Sequence, residues 1–463
     1  MNIDKVQYPL EDGTVYSTRK GFRPLSIPPL QSYAEAFGEV RVQDLLDAAA
    51  KLKGCRLLEL NATAKGGGVA EMLFSSIPLL NALGLDTEWK VIRGTREYFE
   101  CTKGLHNLLQ GMKGSFTSDM KECYIHNMEQ FASEHVLDNN HDVVLVHDPQ
   151  PLGLSQYLRK SDQVWFWRCH IDVEESALRA NPSLWDFIMD QTTYYDAAIF
   201  TAAHYIISCW PLPKFLIPPF IDPLSEKNRE LEPHEIEKVL NKYQIDPRVP
   251  IIAQIGRYDR WKGIERTIAT YREVRKVLPC QLVLAGGTAS DDPEGEMVLD
   301  RIREMTHGDD GAHVLLLSLE DRIQNWHEVN ALQRAASVIM QPSTREGFGL
   351  TVTEAMWKKK PVIASNVGAI SLQIKNGVTG FFFTNTRVAA QKIVRLLEKP
   401  ELATRIGERA HKYVDEHFLI LDRMEDYLIA LNMVRNGSLK EDSCRQCIIS
   451  FHPWYKLSQR EKI

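Results

Sequence analysis

The chain has 463 residues, of which 44% are hydrophobic and 25% are charged, the balance of an ordinary globular protein that is long enough for two domains. Its formal net charge of -6 argues against nucleic acid as a partner, because proteins that bind phosphate backbones usually carry a surplus of basic residues. No apolar run approaches the roughly 20 residues that span a bilayer, and the polar start lacks the pattern of a signal peptide. We therefore expect a cytoplasmic protein with no membrane partner.

The N-terminal residues 1–50 carry no strong motif and are predicted to form an extension that ends in a helix from Val42 to Leu52. After them, short apolar runs alternate with stretches of helical period, which is typical of buried parallel strands in βαβ units. The runs in the first half are Cys55–Leu60, Trp89–Ile92, Val143–His147, Val164–His170 and Ala197–Thr201. The runs in the second half are Ile251–Gly256, Leu282–Ala285, Val314–Leu317, Val338–Gln341, Val362–Ala364 and Phe381–Phe383. Two such sets predict two doubly wound α/β domains.

A proline-rich segment, residues 212–228, separates the two sets of runs, and its Pro-Pro pair breaks regular structure. We accordingly predict a first Rossmann-like domain over residues 51–217 and a second over residues 218–417. A charged helix, Pro233–Lys242, is predicted soon after the boundary, with proline in its first turn. The cleft between two such domains is the expected ligand site.

Three consecutive glycines, Gly66, Gly67 and Gly68, follow the first predicted strand and precede a helix with one apolar face. Glycine lets the backbone approach a ligand closely, and the N-terminus of a helix presents N–H groups that bind phosphate. The alternative is a flexible turn without a ligand. The G-x-G-x-x-G spacing of a dinucleotide site is absent.

Two histidines, His147 and His170, end predicted strands of the first half, and each has an aspartate within the next two residues. A single histidine is more often structural than functional. Two of them at the carboxyl ends of parallel strands, where open α/β sheets bind ligands, favour contact with a ligand.

A short loop directly after the strand Ile251–Gly256 carries Arg257 and Lys262. Two fixed cations can neutralise the negative charge of a diphosphate leaving group. The alternative interpretation is a solvated loop with ordinary surface charge. No two aspartates lie two residues apart, so no D-x-D pair is present to hold a divalent metal against a diphosphate. We therefore predict no metal and no cofactor, and we assign the charge of the leaving group to these two cations and to backbone amides.

A glycine-rich turn after the strand Val338–Gln341 carries Glu346, and Glu354 follows eight residues later on a predicted helix. Carboxylates suit sugar hydroxyls because they accept strong, directional hydrogen bonds. The amides of Gly349, Leu350 and Thr351 would point at a phosphate from the start of the helix. The alternative, a helix cap plus one surface glutamate, does not explain a glycine on both sides of the phenylalanine in this turn.

The chain as a whole resembles the retaining GT-B glycosyltransferases, a large family that includes the sucrose-phosphate and trehalose synthases. The resemblance extends over roughly residues 45–435. The trehalose glycosyltransferring synthases, and also the related fungal-type trehalose phosphorylases, are similar to this chain in the segments GGGVAEML, LHNLLQG, VLVHDPQP, WRCHID, PPFIDPLSEKN, DDPEG, EVNALQRA and REGFGLTVTEAMWK. The resemblance implies a GT-B fold, in which two Rossmann-like domains face each other across a cleft.

The family's site residues can be carried over to matching positions of this chain. The resemblance implies that Arg257 and Lys262 bind the diphosphate, that Glu346 contacts the donor sugar, and that His170 lies beside it; these four form the implied catalytic set. Glu354 would contact the donor ribose. The other implied donor-binding residues are Gly67, Gly68, Gly349, Leu350 and Thr351, and the implied acceptor-binding residues are His147, Asp148 and Gln150.

The C-terminal end departs from the family pattern. The resemblance implies that residues 418–436 form a helix that crosses back to the first domain. The tail from residue 437 to residue 463 is not covered, and we expect it to be disordered or to pack on a partner, with a homodimer as one possibility. Cys444 and Cys447 have metal-ligand spacing, but without a second pair a zinc site is the weaker interpretation.

The leading functional hypothesis is a trehalose synthase that converts a nucleoside diphosphate glucose and glucose reversibly into α,α-trehalose and the nucleoside diphosphate. The alternative closest to it is a trehalose phosphorylase that uses phosphate and glucose 1-phosphate. Transfer to another sugar acceptor is a further alternative. A non-catalytic sensor of sugar nucleotides is disfavoured, because it has less need of the two cations and two glutamates.

Overall fold

The computed structural model describes residues 13–19, 21, 26–134, 140–207, 210, 212–287, 295–439 and 447–451. The chain forms two compact units, which we call the first unit (Met1–Pro219 with Leu421–Ile463) and the second unit (Phe220–Ile420). No helix within the described ranges is long and apolar enough to cross a membrane.

The strands and helices of the described residues alternate along most of the chain. The strands are β1 (Thr14–Tyr16), β2 (Arg56–Asn61), β3 (Asp86–Val91), β4 (Val143–His147), β5 (Val164–Cys169), β6 (Ala197–Phe200), β7 (Lys214–Leu216), β8 (Ile251–Ile255), β9 (Gln281–Gly286), β10 (Ala312–Leu316), β11 (Val338–Gln341), β12 (Val362–Ala364), β13 (Phe381–Phe382) and β14 (Ile448–Ser450). The α-helices are α1 (Leu30–Phe37), α2 (Glu39–Ala50), α3 (Gly68–Ala82), α4 (Arg96–Leu109), α5 (Ser118–Glu134), α6 (Ser155–Leu158), α7 (Glu175–Arg179), α8 (Pro182–Thr192), α9 (Pro233–Lys242), α10 (Ile264–Arg275), α11 (Gly295–Thr306), α12 (Arg322–Ala335), α13 (Leu350–Trp357), α14 (Ile370–Gln373), α15 (Thr386–Glu398), α16 (Pro400–His417) and α17 (Ile420–Arg435).

Each unit contains one sheet, and the two sheets are almost entirely parallel. The sheet of the first unit has the strand order β1-β3-β2-β4-β5-β6-β7-β14, in which only the β1–β3 pair is antiparallel among the described strands. The sheet of the second unit has the order β10-β9-β8-β11-β12-β13, and all of its pairs are parallel. The predicted α/β class with two doubly wound, Rossmann-like sheets is confirmed.

The strand order of each sheet reverses at one point, and this point determines where a ligand can bind. In the first unit β2 pairs with β3 on one side and with β4 on the other. In the second unit β8 pairs with β9 on one side and with β11 on the other. Connections on the two sides of such a switch point run to opposite faces of the sheet, which leaves a crevice at the carboxyl ends of the two strands.

The interior strands are buried along their whole length, which explains why they were visible in the sequence. Every residue of β4 and of β8 is buried. Trp165 and Trp167 are fully buried in the first unit, and Ile252, Met340 and the helix residue Ile268 belong to one core cluster in the second. Strands that are covered on both faces appear as continuous apolar runs.

All eleven predicted runs correspond to strands of the structure, with ends that differ by at most three residues. Three strands of three residues each, β1, β7 and β14, were not predicted, because so short a segment carries no readable period. β7 lies within the segment 212–228 that we had expected to be irregular. The N-terminal extension contains α1 as well as the predicted helix, and Gly38, with a φ of 95°, separates α1 from α2.

The C-terminal tail is a further correction. Residues 448–450 form β14, which pairs in parallel with β7, and the ring of Phe451 stacks on Phe215 at 6.2 Å between centroids. This part of the tail is therefore ordered against the first unit, and neither disorder nor a partner is needed to explain it. Cys444 and the first four residues of the DDPEG segment lie outside the described residues, whereas Cys447 is described and directly precedes β14.

Candidate active site

The glycine loop of the first unit follows β2, beside the switch point. Gly66 has a φ of 76°, in the left-handed region that favours glycine, and Gly67 is the N-cap of α3 without a side-chain cap. A Cβ at Gly67 would meet nothing closer than Thr63 Cγ2 at 3.9 Å, so the packing of the chain itself does not require a glycine at this position. The N-terminal N–H groups of α3 are oriented as an anion site requires.

The two histidines that the sequence placed at strand ends lie in direct contact. His147 ends β4, His170 follows β5, and the distance from His147 Nδ1 to His170 Nε2 is 2.9 Å. Their rings stack with 5.2 Å between centroids and an interplanar angle of 10°. Burial is the largest cause that lowers the pKa of both imidazoles, which are therefore neutral near pH 7.

A buried carboxylate that the sequence analysis missed orients this pair. Glu59 of β2 accepts a hydrogen bond at Oε2 from His147 Nε2 (2.7 Å) and another at Oε1 from the hydroxyl of Tyr427 (2.6 Å). Glu59 is 2% exposed. The signal in the sequence was a lone acidic residue inside the apolar run Cys55–Leu60, whereas nothing in the sequence marked Tyr427.

Asp148 occupies a strained position directly after β4. Its φ of 62° is rare for a residue with a side chain, and such strain is concentrated at functional sites. The Oδ1 atom accepts a hydrogen bond from the backbone N–H of His170 (2.8 Å), and the backbone carbonyl accepts one from Trp167 Nε1 (3.1 Å). Desolvation raises the pKa of the Asp148 carboxyl to about 7, against the opposing effects of this N–H and of the Arg168 charge.

Gln150, the third residue implied on the acceptor side, follows on the same loop. Its backbone carbonyl accepts a hydrogen bond of 2.6 Å from the hydroxyl of Tyr98, which holds the loop against α4. Its side-chain Oε1 is buried and has no hydrogen-bond partner among the described residues. A buried acceptor without a partner is costly, so this oxygen is suited to a ligand's hydroxyl group.

The second unit brings Lys262 and Glu346 together across its own switch point. Lys262 ends the loop after β8, Glu346 lies on the turn after β11, and Lys262 Nζ donates to Glu346 Oε2 at 2.6 Å. The same oxygen accepts hydrogen bonds of 3.1 Å from Gln341 Nε2 and from Ser343 Oγ. The side chains of Lys262 and Glu346 are 18% and 10% exposed, so this ion pair is largely shielded from water. Sequence analysis identified both charges but not the two polar neighbours.

Gly263 allows the two loops to approach each other. It has a φ of 60°, and a Cβ on it would lie 2.4 Å from the backbone oxygen of Pro342. The loops are also joined by a hydrogen bond of 2.8 Å from the N–H of Thr344 to the carbonyl of Trp261. The position of Lys262 relative to Glu346 therefore depends on a residue without a side chain at 263.

Substitution of Gly263 by alanine is expected to push the two loops apart and to lower kcat/KM about 10- to 100-fold, because a displacement of about 1 Å at a reacting centre can cost roughly 100-fold. Gly308→Ala is the matched control, because Gly308 has a φ of 77° but no atom within 4 Å of its Cβ position. Thermal unfolding and steady-state kinetics of both variants check this. An equal kinetic effect of the two substitutions would contradict the role of the close approach.

Arg257 lies on the same loop as Lys262 and is more exposed. Its side chain is 37% exposed, and its guanidinium lies 3.8 Å from Asp259 Oδ2. The carboxylate of Asp259 accepts a hydrogen bond of 2.7 Å from the N–H of Trp261 and so shapes the loop. Arg257 therefore remains accessible to an anionic ligand.

Glu354 is buried on α13 and is not a surface glutamate. Its Oε1 lies 2.9 Å from Lys227 Nζ, and its Oε2 accepts a hydrogen bond of 3.1 Å from Gln333 Nε2. Desolvation would raise the pKa of this carboxyl, but the charges of Lys227 and Lys358 prevail and lower it. Lys227 belongs to the PPFIDPLSEKN segment, so the structure joins this segment to the second glutamate of the motif.

The helix α13 begins at the end of the glycine-rich turn that carries Glu346. Gly349 is the N-cap and has a φ of 84°, and its missing Cβ leaves room for the side chain of Glu346, whose Cγ would otherwise lie at 3.1 Å. Leu350 and Thr351 begin the helix and are partly exposed. Their free N–H groups and the positive end of the helix dipole favour an anion.

Within the described residues, one group of side chains has the geometry of metal ligands: Glu226, Glu235 and His327. The guanidinium of Arg229 already donates to both carboxylates, at 2.8 Å to Glu226 and 2.8 Å to Glu235. Arg229 therefore supplies the positive charge between the two carboxylates, and the cluster is explained as a network of ion pairs.

Comparison with known proteins adds two family matches. Residues 59–207 match the model of the trehalose synthase N-terminal domain, and residues 235–413 match that of the glycosyl transferases group 1. The chain is 43% identical to a trehalose synthase of Pyrococcus horikoshii over 408 residues, which cover 87% of this chain and 96% of that protein.

More distant similarities are to a phosphorylase and to a solved structure. A trehalose phosphorylase of Pleurotus pulmonarius is 27% identical over 77% of this chain but only 54% of its own length. The solved structure of sucrose-phosphate synthase from Thermosynechococcus elongatus is similar in fold, with a TM-score of 0.60 at 18% identity, over 83% of this chain and 98% of that one. The fold is accordingly of the GT-B type.

Proposed function

The chain belongs to the trehalose synthase family of glycosyltransferases, and on that premise we propose that it transfers glucose from a nucleoside diphosphate glucose to free glucose, reversibly and with retention, giving α,α-trehalose. The family resemblance seen in the sequence is thereby confirmed. The observation that carries the proposal is the shielded Lys262–Glu346 pair, which joins the loops on the two sides of the switch point. At this crevice a cation can pair with the phosphate of a sugar phosphate, and a carboxylate can accept hydrogen bonds from its sugar hydroxyls.

On the donor side, Lys262 and Arg257 stabilise the negative charge that develops on the leaving diphosphate. The N–H groups at the start of α13 add to this stabilisation, and those of the glycine loop at Gly67 and Gly68 supply a second anion site. Glu346 orients a hydroxyl of the glucosyl group. Three donors converge on its Oε2, so this carboxylate is better suited to accept a hydrogen bond than to attack the sugar.

On the acceptor side, Asp148 and Gln150 accept hydrogen bonds from hydroxyl groups of glucose. The acceptor hydroxyl attacks the same face of the donor sugar that the diphosphate leaves, and the leaving phosphate oxygen takes up its proton. This mechanism retains the anomeric configuration without a covalent intermediate. Glu354, whose carboxylate is held by Lys227 and Gln333, contributes to binding of the donor ribose.

Proton NMR of the products tests this proposal. UDP-glucose or ADP-glucose is mixed with glucose, and the signal of α,α-trehalose is expected together with an equal amount of nucleoside diphosphate. The absence of a disaccharide with either nucleotide would overturn it. Trehalose formed from glucose 1-phosphate and glucose, with release of an equal amount of phosphate, would instead support the phosphorylase. The 27% identity to the Pleurotus pulmonarius protein makes this the second candidate. Donor binding without any turnover would indicate a sensor.

Transfer is also expected to be independent of divalent metal, because the chain has no D-x-D pair and cationic side chains lie at the switch point. The rate after treatment with a chelator should equal the rate with added magnesium. Strong inhibition that magnesium reverses would contradict this. If magnesium does affect the rate, the Glu235→Gln variant serves as a control, because it removes one carboxylate of the cluster with Glu226 and His327. A rate that no longer responds to magnesium in this variant would locate the metal at that cluster.

A further inference from the structure

Four side chains of the first unit form one continuous chain of hydrogen bonds. Tyr427 Oη donates to Glu59 Oε1 (2.6 Å), Glu59 Oε2 contacts His147 Nε2 (2.7 Å), and His147 Nδ1 contacts His170 Nε2 (2.9 Å). Tyr427, Glu59 and His147 are between 1% and 3% exposed, whereas His170 is partly exposed. The chain of bonds therefore leads from the interior of the unit to its surface.

The direction of each hydrogen bond follows from the carboxylate at its buried end. A carboxylate can only accept, so the Tyr427 hydroxyl and His147 Nε2 must both donate to Glu59. A neutral imidazole carries a single N–H, so His147 Nδ1 must accept, and the donor is the N–H at His170 Nε2. His170 Nδ1 then carries a lone pair and no proton.

The ring of His170 is also held from its backbone. The N–H of His170 donates to Asp148 Oδ1 at 2.8 Å, and the stacked ring of His147 covers one face of the imidazole. Among the residues that the structure describes, no group forms a hydrogen bond with His170 Nδ1. A partly exposed acceptor with a fixed direction is therefore available to a ligand that donates a hydroxyl proton.

We propose that Glu59 is a positioning residue of the transfer site: through His147 it holds His170 in the tautomer whose Nδ1 accepts a hydrogen bond from a sugar hydroxyl. His170 then orients the sugar and has no proton to give to a leaving group. The identity of the ligand as a sugar rests on the proposed function, but the tautomer of His170 does not.

The Glu59→Gln variant tests the proposal, because it should reverse the polarity of the whole chain. With the oxygen of the new amide on the side of Tyr427, where the hydroxyl donates to it, the amide nitrogen faces His147 and must donate. His147 Nε2 then accepts, His147 Nδ1 donates to His170 Nε2, and the proton of His170 moves to Nδ1. A donor thus replaces the acceptor at the surface, while the shape of the side chains is preserved.

Two control variants separate this reversal from simple damage to the fold. Tyr427→Phe removes one hydrogen bond from Glu59 but leaves the carboxylate, so the tautomer of His170 should not change. Glu88→Gln alters a second buried glutamate–histidine pair of the same unit, in which His141 Nε2 lies 3.1 Å from Glu88 Oε2. Glu88 lies within β3 and His141 lies before β4, whereas His170 follows the carboxyl end of β5, so this variant reports the cost of losing a buried charge away from His170.

The measurement is nitrogen-15 NMR of histidine-labelled protein, with the signals of His147 and His170 assigned from single substitutions, together with steady-state kinetics. In the wild-type protein both rings should be protonated at Nε2, and in Glu59→Gln both at Nδ1. The same variant should lose about 10-fold or more in kcat/KM, the scale of a hydrogen bond that turns from favourable to repulsive, whereas both control variants stay close to wild type.

Three results would overturn the proposal: a proton on His170 Nδ1 in the wild-type protein, a loss of kcat/KM in Glu59→Gln without a change of the His170 tautomer, or a changed tautomer with a loss of kcat/KM no larger than that in Glu88→Gln. The first is measured on the wild-type protein, so the proposal stays testable even if Glu59→Gln does not fold. If the wild-type protein makes no trehalose, the proposed function fails, and the tautomer measurement still decides the role of Glu59.

Discussion

Replacement of Lys262 by alanine is expected to lower kcat about 100-fold or more, the usual scale for loss of a fixed electrostatic stabiliser of the transition state. The ammonium group is 2.6 Å from Glu346 and largely shielded from water, where a charge interacts more strongly than at the surface. Because its effect is expected on the departing diphosphate, kcat should fall more than the KM of the donor rises. Arg257→Ala should act in the same direction.

Steady-state kinetics over a range of donor concentrations checks this prediction. Lys276→Ala is the matched control in the same unit, since Lys276 forms an exposed ion pair with Glu273 that is 2.5 Å long, and exposed pairs contribute little. An unchanged rate in Lys262→Ala or in Arg257→Ala would remove that residue from the mechanism.

The second large effect is expected at Asp148, whose substitution by asparagine should lower kcat/KM for the acceptor about 10- to 100-fold, the scale of a lost hydrogen bond to a charged group. Because desolvation raises the pKa of the carboxyl to about 7, wild-type activity should rise with pH through that value as the carboxylate forms. The groups around it are Arg168, His147 and His170. Asparagine tolerates the left-handed backbone at this position, so the variant should fold. Its activity should not rise with pH through about 7 as that of the wild-type protein does.

Stability should change with pH in the opposite sense. A carboxyl whose pKa is higher in the folded state than in the unfolded state favours folding fully at pH values below the unfolded pKa, and this contribution is lost as pH rises through about 7. The free energy of unfolding of Asp148→Asn should therefore improve relative to wild type between about pH 4 and pH 7. Asp196→Asn is a control, because Asp196 binds Arg159 just before β6, at the other end of the strands. A pH profile that Asp148→Asn leaves unaltered would exclude Asp148.

The candidate site illustrates what local patterns can and cannot reveal. The loop with Arg257 and Lys262 and the turn with Glu346 were evident because each directly follows an apolar strand. Gln341 and Ser343, which bond to Glu346, carry no distinguishing signal in the sequence. The same holds for Lys227, whose contact with Glu354 spans 127 positions of the chain.

The sequence by itself determined the two sets of parallel strands, the glycine and cation loops at their ends, and membership of the family. These features depend on neighbours within one strand, turn or helix, so period and composition are enough to reveal them. Only the tertiary structure decided the strand order, and with it the switch point in each unit, beside which the loops of that unit lie. It also decided the contact of Glu59 with Tyr427, 368 positions apart, because such contacts depend on which strands and helices pack against each other over the whole unit.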